Sequence, residues 1–469
     1  MKENINVDVA VLGGGPGGYT AAFRAADLGL SVCLIERLST LGGVCVNVGC
    51  IPSKTLLHGA AILEEAKESA TMGICFTQPN VDLEKLRDHK GSIIRNMTNG
   101  LDSLCKARKI IRVSGRGFFQ DSNNLRIEDA DGQLVTFKHA IIATGSRPIA
   151  LPIAPDDHRI WNSTDALALN SVPKKLLIVG GGIIGLEMAQ VYSSLGSEIT
   201  LVEALDQIIP SADKDVVQPL LRKLKKQYRI FTKTCVTEIT SLKEGIQVAM
   251  EGTKVPEREV YDAVLIAVGR KPNTIEIGLE ELGIDVDEHG LILVNEQMQT
   301  QIPHIYAIGD VVSGPMLAHK ASHEAKIVAE AVCGHQGSLA QAVIPSVAYT
   351  SPEVAWVGLT EKEAKENGSD YSIGKVPWIV SGRAQSAGAE NGMTKLLFDK
   401  VSGKILGAGI CGANAGELIH EVAVAIKMEA TAKDLANTVH AHPTLAETVV
   451  FGAELVEGSI TDMLQQRRR

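Results

Sequence analysis

The chain has 469 residues, of which 45% are hydrophobic and 22% charged, and these values indicate a globular protein of roughly three domains. Its net charge of −9, from 46 basic and 55 acidic residues, argues against a general nucleic-acid binder or a binder of anionic membranes. No apolar stretch approaches the roughly 18 residues of a membrane helix, and the first residues predict a strand rather than a secretory leader. We therefore expect a cytoplasmic protein.

The first predicted elements are a strand, a glycine turn, a helix and a second strand, in "VDVAVLGGGPGGYTAAFRAADLGLSVCLIE". The turn has the G-x-G-x-x-G spacing at Gly13, Gly15 and Gly18, and the second strand ends at Glu36, 23 residues after Gly13. In a dinucleotide-binding unit these glycines permit the bend, the approach of a pyrophosphate and the packing of the helix on the strand. The acid can accept hydrogen bonds from a ribose. One such turn is a weak signal, because glycine turns also recur for steric reasons.

The next segment, "GGVCVNVGCIPSK", places Cys45 and Cys50 five residues apart. A metal site, a structural disulfide and a redox couple are the three alternatives. On a regular helix their Cα atoms would lie about 8.6 Å apart, whereas a disulfide needs less than about 7 Å. A pair that closes therefore requires a distorted or interrupted helix, which Gly49 and Pro52 would allow.

A second copy of the first pattern follows in "KLLIVGGGIIGLEMAQVYSSLGSEITLVE", with glycines at Gly180, Gly182 and Gly185 and an acid at Glu203. Again the acid follows the first glycine by 23 residues. Two complete units make the dinucleotide interpretation strong and predict one dinucleotide in each. Because Glu203 would repel a 2′-phosphate, we expect the second unit to prefer NAD to NADP.

The repeat extends to the strands that close each unit, "HAIIATGSRP" and "DAVLIAVGRKP". The first carries Thr144 and Gly145, and the second carries Gly269. Because both strands look buried and both end in Gly, Arg and Pro, they complete the two units, each of which is expected to hold one dinucleotide, with Gly269 among the candidate binding residues.

The C-terminal part of the chain differs from the two units. "SVAYTSPEVAWVGLT" and "TKLLFDKVSGKILGAGICG" predict antiparallel strands, followed by helices around "AGELIHEVAVAIKM". Near the end, "AHPTLAE" offers His442 and, five residues later, Glu447. A carboxylate can orient one imidazole nitrogen while the other meets a substrate thiol, so this pair is a candidate proton handler. The nearby His440 is not expected to act as the base.

Two dinucleotide units with a close cysteine pair resemble the pyridine nucleotide-disulfide oxidoreductases, flavoenzymes with FAD in the first unit and a nicotinamide nucleotide in the second. The resemblance covers essentially the whole chain and includes "ATGSRP", "VGRKPN", "YAIGD" and "HAHPTLAE". Among the members, those that oxidise dihydrolipoyl groups are most similar in "GGVCVNVGCIPSK", "MLAHKASHE" and Glu203. A redox couple is then favoured over a structural disulfide. A disulfide that closes so short a loop would stabilise the fold little and would be reduced in the cytoplasm. His58 alone is too little for zinc, and no metal is expected.

The resemblance implies roles for particular residues. Cys45 is the interchange thiol that exchanges with substrate sulfur, and Cys50 is the charge-transfer thiol that faces the flavin. Lys54 pairs with Glu187 beside the reactive flavin nitrogen. His442, oriented by Glu447, is the base, and in the family it comes from the opposite subunit of a homodimer.

It also implies the residues of the FAD site. Thr144 and Gly145 provide strand-end contacts, and Asp310 binds the ribityl chain or the adjacent ribose. The helix that opens near "MLAHKASHEA" aims its amides at the pyrimidine edge of the flavin. The residues of this segment that the resemblance places in the FAD site are Met316, Ala318 and His319. His319 is expected to hold the flavin or the loop structure in place rather than to act as a base.

The resulting fold class is α/β, with two Rossmann-like dinucleotide-binding domains and a C-terminal α+β dimerisation domain. The predicted limits are 1–147 for the FAD domain, 148–272 for the NAD domain, 273–345 for a central domain that completes the FAD site, and 346–469 for the interface domain. The implied reaction passes two electrons from dihydrolipoamide through the cysteine pair and FAD to NAD, with ping-pong kinetics.

The implied partners are lipoyl-bearing acyltransferase or carrier subunits of 2-oxo acid dehydrogenase or glycine cleavage systems. Two alternatives remain: a glutathione reductase-like enzyme of the same family, and a mainly structural flavoprotein subunit of a multienzyme assembly. Relatives of glutathione reductase favour NADP through basic residues where this chain has Glu203. Mercuric reductase is disfavoured, because no cysteine follows Cys411.

Overall fold

The computed structural model describes residues 4–77, 79–128, 132–335 and 342–464. Residues 336–341, within the predicted central domain, and the C-terminal arginines lie outside the described residues. None of the helices in the described part combines the length and the hydropathy that crossing a bilayer requires.

The first unit is a mixed sheet covered by helices, and its core is formed by apolar strands. The strands β2, β1 and β6 are parallel neighbours, and β6 also pairs antiparallel with β5 of a three-strand meander. The elements of this unit are β1 (Ile5–Leu12), α1 (Pro16–Asp27), β2 (Val32–Glu36), α2 (Gly43–Val48), α3 (Cys50–Glu68), α4 (Leu83–Ala107), β3 (Ile111–Ser114), β4 (Gly117–Asp121), β5 (Asn124–Ile127) and β6 (Gln133–Ile142).

The second unit repeats the parallel arrangement in a sheet of its own. The order is β11-β10-β9-β15-β8, and the meander β12-β13-β14 forms a separate antiparallel sheet. Its elements are β7 (Ser146–Pro148), β8 (Ile160–Trp161), α5 (Ser163–Ala168), β9 (Lys175–Val179), α6 (Ile183–Ser194), β10 (Glu198–Glu203), α7 (Lys214–Leu224), β11 (Arg229–Thr232), β12 (Thr234–Ser241), β13 (Ile246–Gly252), β14 (Arg258–Tyr261), β15 (Ala263–Ile266) and β16 (Arg270–Pro272).

The chain then returns to the first unit through α8 (Leu279–Leu282), β17 (Ile305–Ala307) and α9 (Ala318–Val332). The strand β17 pairs parallel with the end of β6, and α9 packs along α1. The short strands β7 and β16, which lie where the chain enters and leaves the second unit, pair with each other in antiparallel fashion. Both predicted limits of the NAD domain fall at these paired strands, and the domain limits remain a prediction.

The C-terminal unit is a five-stranded antiparallel sheet, in the order β18-β19-β22-β21-β20, with helices packed against it. The strands expected in this segment are therefore present and antiparallel. The elements are β18 (Ser346–Ala348), β19 (Glu353–Gly358), α10 (Glu361–Glu366), β20 (Tyr371–Pro377), α11 (Gly382–Ser386), β21 (Met393–Asp399), β22 (Ile405–Gly412), α12 (Ala415–Lys427), α13 (Ala432–Asn437) and α14 (Glu447–Glu457).

A buried lysine joins the C-terminal unit to the second unit. The Lys395 side chain is 1% exposed, and its Nζ atom lies 3.0 Å from Asp213, 3.0 Å from Asp215 and 2.5 Å from Glu361. The three carboxylates are close enough together to suggest a cation site. Lys395 lies among them, Lys375 pairs with Asp215 and Lys365 pairs with Glu361, so three ammonium groups of the chain itself balance the three carboxylates.

Candidate active site

A single large cavity of about 1640 Å³ brings the two glycine turns and the cysteine pair together. Drug-sized ligand pockets have volumes of about 300–1,000 Å³, so this cavity is large enough for more than one ligand. The predicted residues that line it are Gly13, Gly15, Glu36, Cys45, Cys50, Lys54, Thr144, Gly145, Gly180, Gly182, Glu187, Glu203, Gly269, Asp310, Met316, Ala318 and His319. The predicted residues outside its lining are Gly18, Gly185, His442 and Glu447.

The acid of each unit is held by the backbone of its own glycine turn. The Gly14 amide donates to Glu36 Oε2 at 2.7 Å, and the Gly181 amide donates to Glu203 Oε2 at 2.7 Å. The other carboxylate oxygen accepts from an amide two residues further on in both units, at 2.9 and 2.8 Å. Each acid is thus fixed at the cavity wall, where its remaining lone pairs can accept from ribose hydroxyls.

The first turns of the two helices after the glycine turns suit a pyrophosphate. Gly15 and Gly182 are the N-caps of α1 and α6, and neither cap makes a side-chain hydrogen bond. Amides at a helix N-terminus are donors without intrahelical partners, and the helix dipole adds positive potential there. The residues present therefore fit a dinucleotide diphosphate at each helix, which was expected to be that of FAD at α1 and of NAD at α6.

The third glycine of each turn acts inside the fold. A Cβ atom on Gly18 would lie 1.7 Å from the carbonyl oxygen of Gly13, and one on Gly185 would lie 2.2 Å from that of Gly180. The expected close packing of helix on strand is therefore present. It depends on the third glycine, in the helix, lying directly against the carbonyl oxygen of the first glycine, at the end of the strand. Neither residue lines the cavity.

The cysteine segment is an interrupted helix, as its spacing required. The helix α2 ends before Gly49, whose φ and ψ angles are −142° and −112°, and α3 begins at Cys50. Pro52 lies in the first turn of α3, where a missing amide costs little. The break brings the free thiols of Cys45 and Cys50 within hydrogen-bonding contact of each other.

The two thiols have opposite electrostatic surroundings. The hydrogen bond from Cys45 and, to a smaller extent, the Lys54 ammonium lower the pKa of Cys50 to about 7 against the opposing effect of burial. The pKa of Cys45 is raised, because its thiol proton is held in that hydrogen bond and because it is buried. Cys50 is therefore the thiol that ionises first, which supports its assignment as the charge-transfer thiol.

The expected pair of Lys54 and Glu187 is present in the cavity. Lys54 Nζ donates to both carboxylate oxygens of Glu187 at 2.9 Å. The Glu187 side chain is 4% exposed and that of Lys54 is 36% exposed. Because Lys54 is on α3 and Glu187 on α6, this ion pair joins the first and second units.

Tyr349 is not among the predicted site residues, but it contacts both members of this pair. Its ring centroid lies 4.4 Å from Lys54 Nζ, and its amide donates to Glu187 Oε1 at 3.2 Å. An aromatic face attracts an ammonium group, so Lys54 is held from two sides. The "AYTSP" segment was interpreted only as part of a strand, and nothing in its spacing links it to Lys54.

Asp310 lies at the cavity wall in a chain of side-chain hydrogen bonds. Ser146 Oγ donates to Asp310 Oδ2 at 2.5 Å, and Arg270 Nε donates to Ser146 Oγ at 2.7 Å. Ser146 and Arg270 belong to the motifs "ATGSRP" and "VGRKPN", but neither is among the predicted site residues. The pairing of β7 with β16 brings them together.

Thr144 and His319 hold backbone segments of the site. Thr144 Oγ1 donates to the Asn273 carbonyl at 2.7 Å. His319 Nε2 lies 2.7 Å from the Pro345 carbonyl oxygen, which supports the structural role expected for His319. Met316 and Ala318, at the start of α9, line the cavity beside it.

His442 and Glu447 form the expected pair, away from the cavity of their own subunit. His442 Nδ1 lies 2.8 Å from Glu447 Oε1, and the His442 side chain is 79% exposed. Because a carboxylate accepts, the proton is assigned to Nδ1, and Nε2 is the basic nitrogen. His440 instead has both ring nitrogens bonded, to Thr438 and Glu421. This exposed pair is compatible with a histidine that serves the cavity of a partner subunit.

Comparison with known proteins agrees with this geometry. The pyridine nucleotide-disulphide oxidoreductase family model matches residues 7–325, and the dimerisation domain of that family matches residues 344–451. The dihydrolipoyl dehydrogenase of Haemophilus influenzae is 52% identical over 99% of this chain and 98% of that protein. The dihydrolipoyl dehydrogenase of Bacillus subtilis is 45% identical over 97% of each chain.

Solved structures show the same architecture. The HOCl-induced flavoprotein disulfide reductase RclA from Escherichia coli has a TM-score of 0.84 at 26% identity, over 94% of this chain and 98% of that one. LpdA from Mycobacterium tuberculosis has a TM-score of 0.87 at 25% identity, over 96% and 99%. The dimerisation-domain match supports a homodimer. With both glycine turns, the cysteine pair and the whole length of the chain accounted for, this protein belongs to the pyridine nucleotide-disulphide oxidoreductase family.

Proposed function

We propose that the chain works as a dihydrolipoyl dehydrogenase, an oxidoreductase that acts on a sulfur group with FAD and NAD as cofactors. The observation that carries this conclusion is the full-length similarity to curated dihydrolipoyl dehydrogenases at 44–52% identity. The cavity agrees with it, because its lining includes residues of both glycine turns and the close thiol pair. FAD, when bound, accepts the electron pair from the reduced thiols and transfers it to NAD as hydride.

The two cysteines divide the sulfur chemistry between them. In the oxidised enzyme, a substrate thiolate attacks Cys45, so that a mixed disulfide forms and Cys50 leaves as a thiolate. The second substrate thiol then displaces Cys45 and closes the lipoyl disulfide, which leaves both cysteines reduced. The lowered pKa of Cys50 favours this order, because a thiol of lower pKa is the better leaving group.

The remaining polar residues handle protons and charge. His442 of the partner subunit takes the protons of the substrate thiols at Nε2, while Glu447 keeps Nδ1 protonated. Lys54, held by Glu187 and Tyr349, supplies positive charge next to Cys50 and stabilises its thiolate. Glu203 gives the second unit its preference for NAD.

The lipoyl group is carried by another protein, and we propose a lipoyl-bearing subunit of a 2-oxo acid dehydrogenase or glycine cleavage system as the partner. A cysteine couple that cycles between thiol and disulfide suits a reducing compartment, and we propose the cytoplasm.

The proposal is tested with Cys45→Ser and the control Cys75→Ser. Turnover of lipoamide with NADH, and of dihydrolipoamide with NAD, should be lost in Cys45→Ser, while FAD content stays unchanged. Cys75 is an exposed cysteine that is not among the lining residues of the cavity, so Cys75→Ser should keep wild-type turnover. Full turnover in Cys45→Ser would overturn the enzymatic role and favour a structural flavoprotein, and faster turnover of glutathione disulfide with NADPH would favour a glutathione reductase.

A further inference from the structure

A nearly fully buried ion pair lies on α9, next to the FAD side of the cavity. Lys320 is 2% exposed and Glu324 is 0% exposed, and Lys320 Nζ lies 2.9 Å from Glu324 Oε1. Neither residue lines the cavity, whereas His319 and Ala321, the neighbours of Lys320 in sequence, do. The pair is therefore outside the machinery described above.

The helix itself gains little from this pair. Lys320 lies in the first turn of α9, where the helix dipole disfavours a cation. The order of lysine before glutamate, four residues apart, is also the less favourable one on a helix. A buried ion pair is in general weak evidence of net stabilisation, because both charges lose their hydration. Stabilisation of α9 therefore does not explain why Lys320 and Glu324 are found at these two positions.

The contacts of the pair explain its position, because it holds one peptide segment from both sides. Glu324 Oε2 accepts from the Gly309 amide at 2.7 Å, and Lys320 Nζ donates to the Gly309 carbonyl at 3.1 Å. Gly309 has a φ of +79°, in the left-handed region. Hydrogen bonds to charged groups are stronger than those between neutral groups, so this conformation is held firmly.

The residue after Gly309 is Asp310, which lines the cavity. Its side chain is fixed by Ser146, and its backbone follows directly from the clamped glycine. We infer that Lys320 and Glu324 are positioning residues for FAD, which act by clamping Gly309 so that Asp310 presents its carboxylate to the cofactor. This inference rests on the proposed function for FAD as the cofactor, and it adds two residues that do not line the cavity themselves.

The test compares Lys320→Met and Glu324→Gln with Lys395→Met in the purified holoenzyme. FAD release on dilution is followed by the rise in flavin fluorescence, and unfolding is followed by circular dichroism. Lys395 is the matched control, because it is equally buried and ion-paired but lies away from the cavity lining. Lys320→Met removes the donor to the Gly309 carbonyl and should release FAD about tenfold to a hundredfold faster, the range for a lost hydrogen bond to a charged group. Glu324→Gln leaves only a neutral acceptor for the Gly309 amide and an unpaired Lys320, and it should release FAD about tenfold faster. Lys395→Met should unfold at a lower temperature but release FAD within about twofold of the wild-type rate.

The double variant Lys320→Met with Glu324→Gln separates clamping from general stability. With both charges removed, the unfolding temperature should recover, because no unpaired buried charge remains. FAD release should stay fast, because the Gly309 carbonyl has lost its donor. If Lys320→Met fails to fold, the FAD release rate of the isosteric Glu324→Gln variant tests the inference instead.

Wild-type release rates in Glu324→Gln, or release that recovers together with stability in the double variant, would overturn the inference alone. Wild-type protein that takes up no FAD would overturn the proposed function as well.

Discussion

The two dinucleotide units have the same hydrogen bonds at their glycine turns, but they differ in the strand that pairs with the closing strand of each sheet. In both, the second glycine of the GGG run donates to the terminal acid at 2.7 Å. In both, a Cβ on the first glycine would lie 2.2–2.3 Å from the carbonyl oxygen of the residue that follows the closing strand, Ala143 or Ala267. In the first unit, however, the closing strand β6 pairs with β17, whereas its counterpart β15 pairs with the two-residue strand β8.

This difference assigns the two units different tasks. The extra strand β17 leads directly to Gly309 and Asp310, and α9 then packs along α1. The first unit therefore encloses its nucleotide with residues that are distant in sequence, while the second unit has no such addition among the described residues. A cofactor that stays bound suits the first arrangement, and a nucleotide that enters and leaves suits the second.

The largest effects should come from the third glycines. Gly18→Ala would force a Cβ to 1.7 Å from the Gly13 oxygen, and Gly185→Ala to 2.2 Å from the Gly180 oxygen. Overpacking of this kind costs about 1–3 kcal/mol or more. Gly18→Ala should yield protein without FAD, and Gly185→Ala should keep FAD but lose NAD-dependent turnover, as flavin absorbance and steady-state rates would show.

Gly100→Ala is the control for these variants, because its Cβ would meet nothing within 4 Å on α4. This substitution should be neutral or slightly stabilising, since alanine favours a helix by about 1 kcal/mol over glycine. Loss of FAD in Gly185→Ala would contradict the division of tasks between the units.

The acids should give the next largest effects. Glu36→Gln and Glu203→Gln each replace one acceptor oxygen with an NH₂ group that faces a backbone amide donor. We expect about a tenfold to hundredfold weaker FAD binding for the first and a similar rise in the KM for NAD for the second. Flavin retention and NAD kinetics, measured on both variants, check this. An effect of Glu203→Gln on FAD retention would show that the sites are not independent.

The repeated units were predictable from the sequence because their turns depend on neighbouring residues. The spacing from Gly13 to Glu36 and from Gly180 to Glu203 is sufficient to place the acid at the turn amide. The break at Gly49 was likewise predictable from the reach of a disulfide. Tyr349 was not predictable, because its contact with Lys54 joins distant parts of the chain. The role of the ion pair of Lys320 and Glu324 was not predictable for a similar reason, because Gly309, which both side chains contact, is not part of α9.

A smaller effect is expected where the two units meet, at Lys54 and Cys50. The thiolate-to-flavin absorbance band of the reduced enzyme should titrate with an apparent pKa near 7, as expected for Cys50, and be present above that pH and lost below it. Lys54→Met removes a cation that lowers the pKa of Cys50, so the band should require higher pH. At pH 7 its intensity should fall, but by less than the roughly tenfold loss expected for an ordinary cysteine, because the hydrogen bond from Cys45, the larger cause of the lowered pKa, remains. An unchanged titration would show that Cys45 alone sets the ionisation of Cys50.

The smallest effect concerns how α9 is attached to the first unit. Arg24 on α1 and Glu330 on α9 form an ion pair at 2.8 Å, with side chains 40% and 35% exposed. Close packing also joins the two helices, because a Cβ on Gly17 would lie 3.3 Å from Ala321. Exposed ion pairs contribute at most about 1 kcal/mol, so Arg24→Gln should lower the free energy of unfolding in urea by no more than that. FAD release should also stay at the wild-type rate. A much larger loss would mean that charge, rather than packing, holds the FAD-enclosing helix in place, and the first unit would then differ from the second in its salt sensitivity as well.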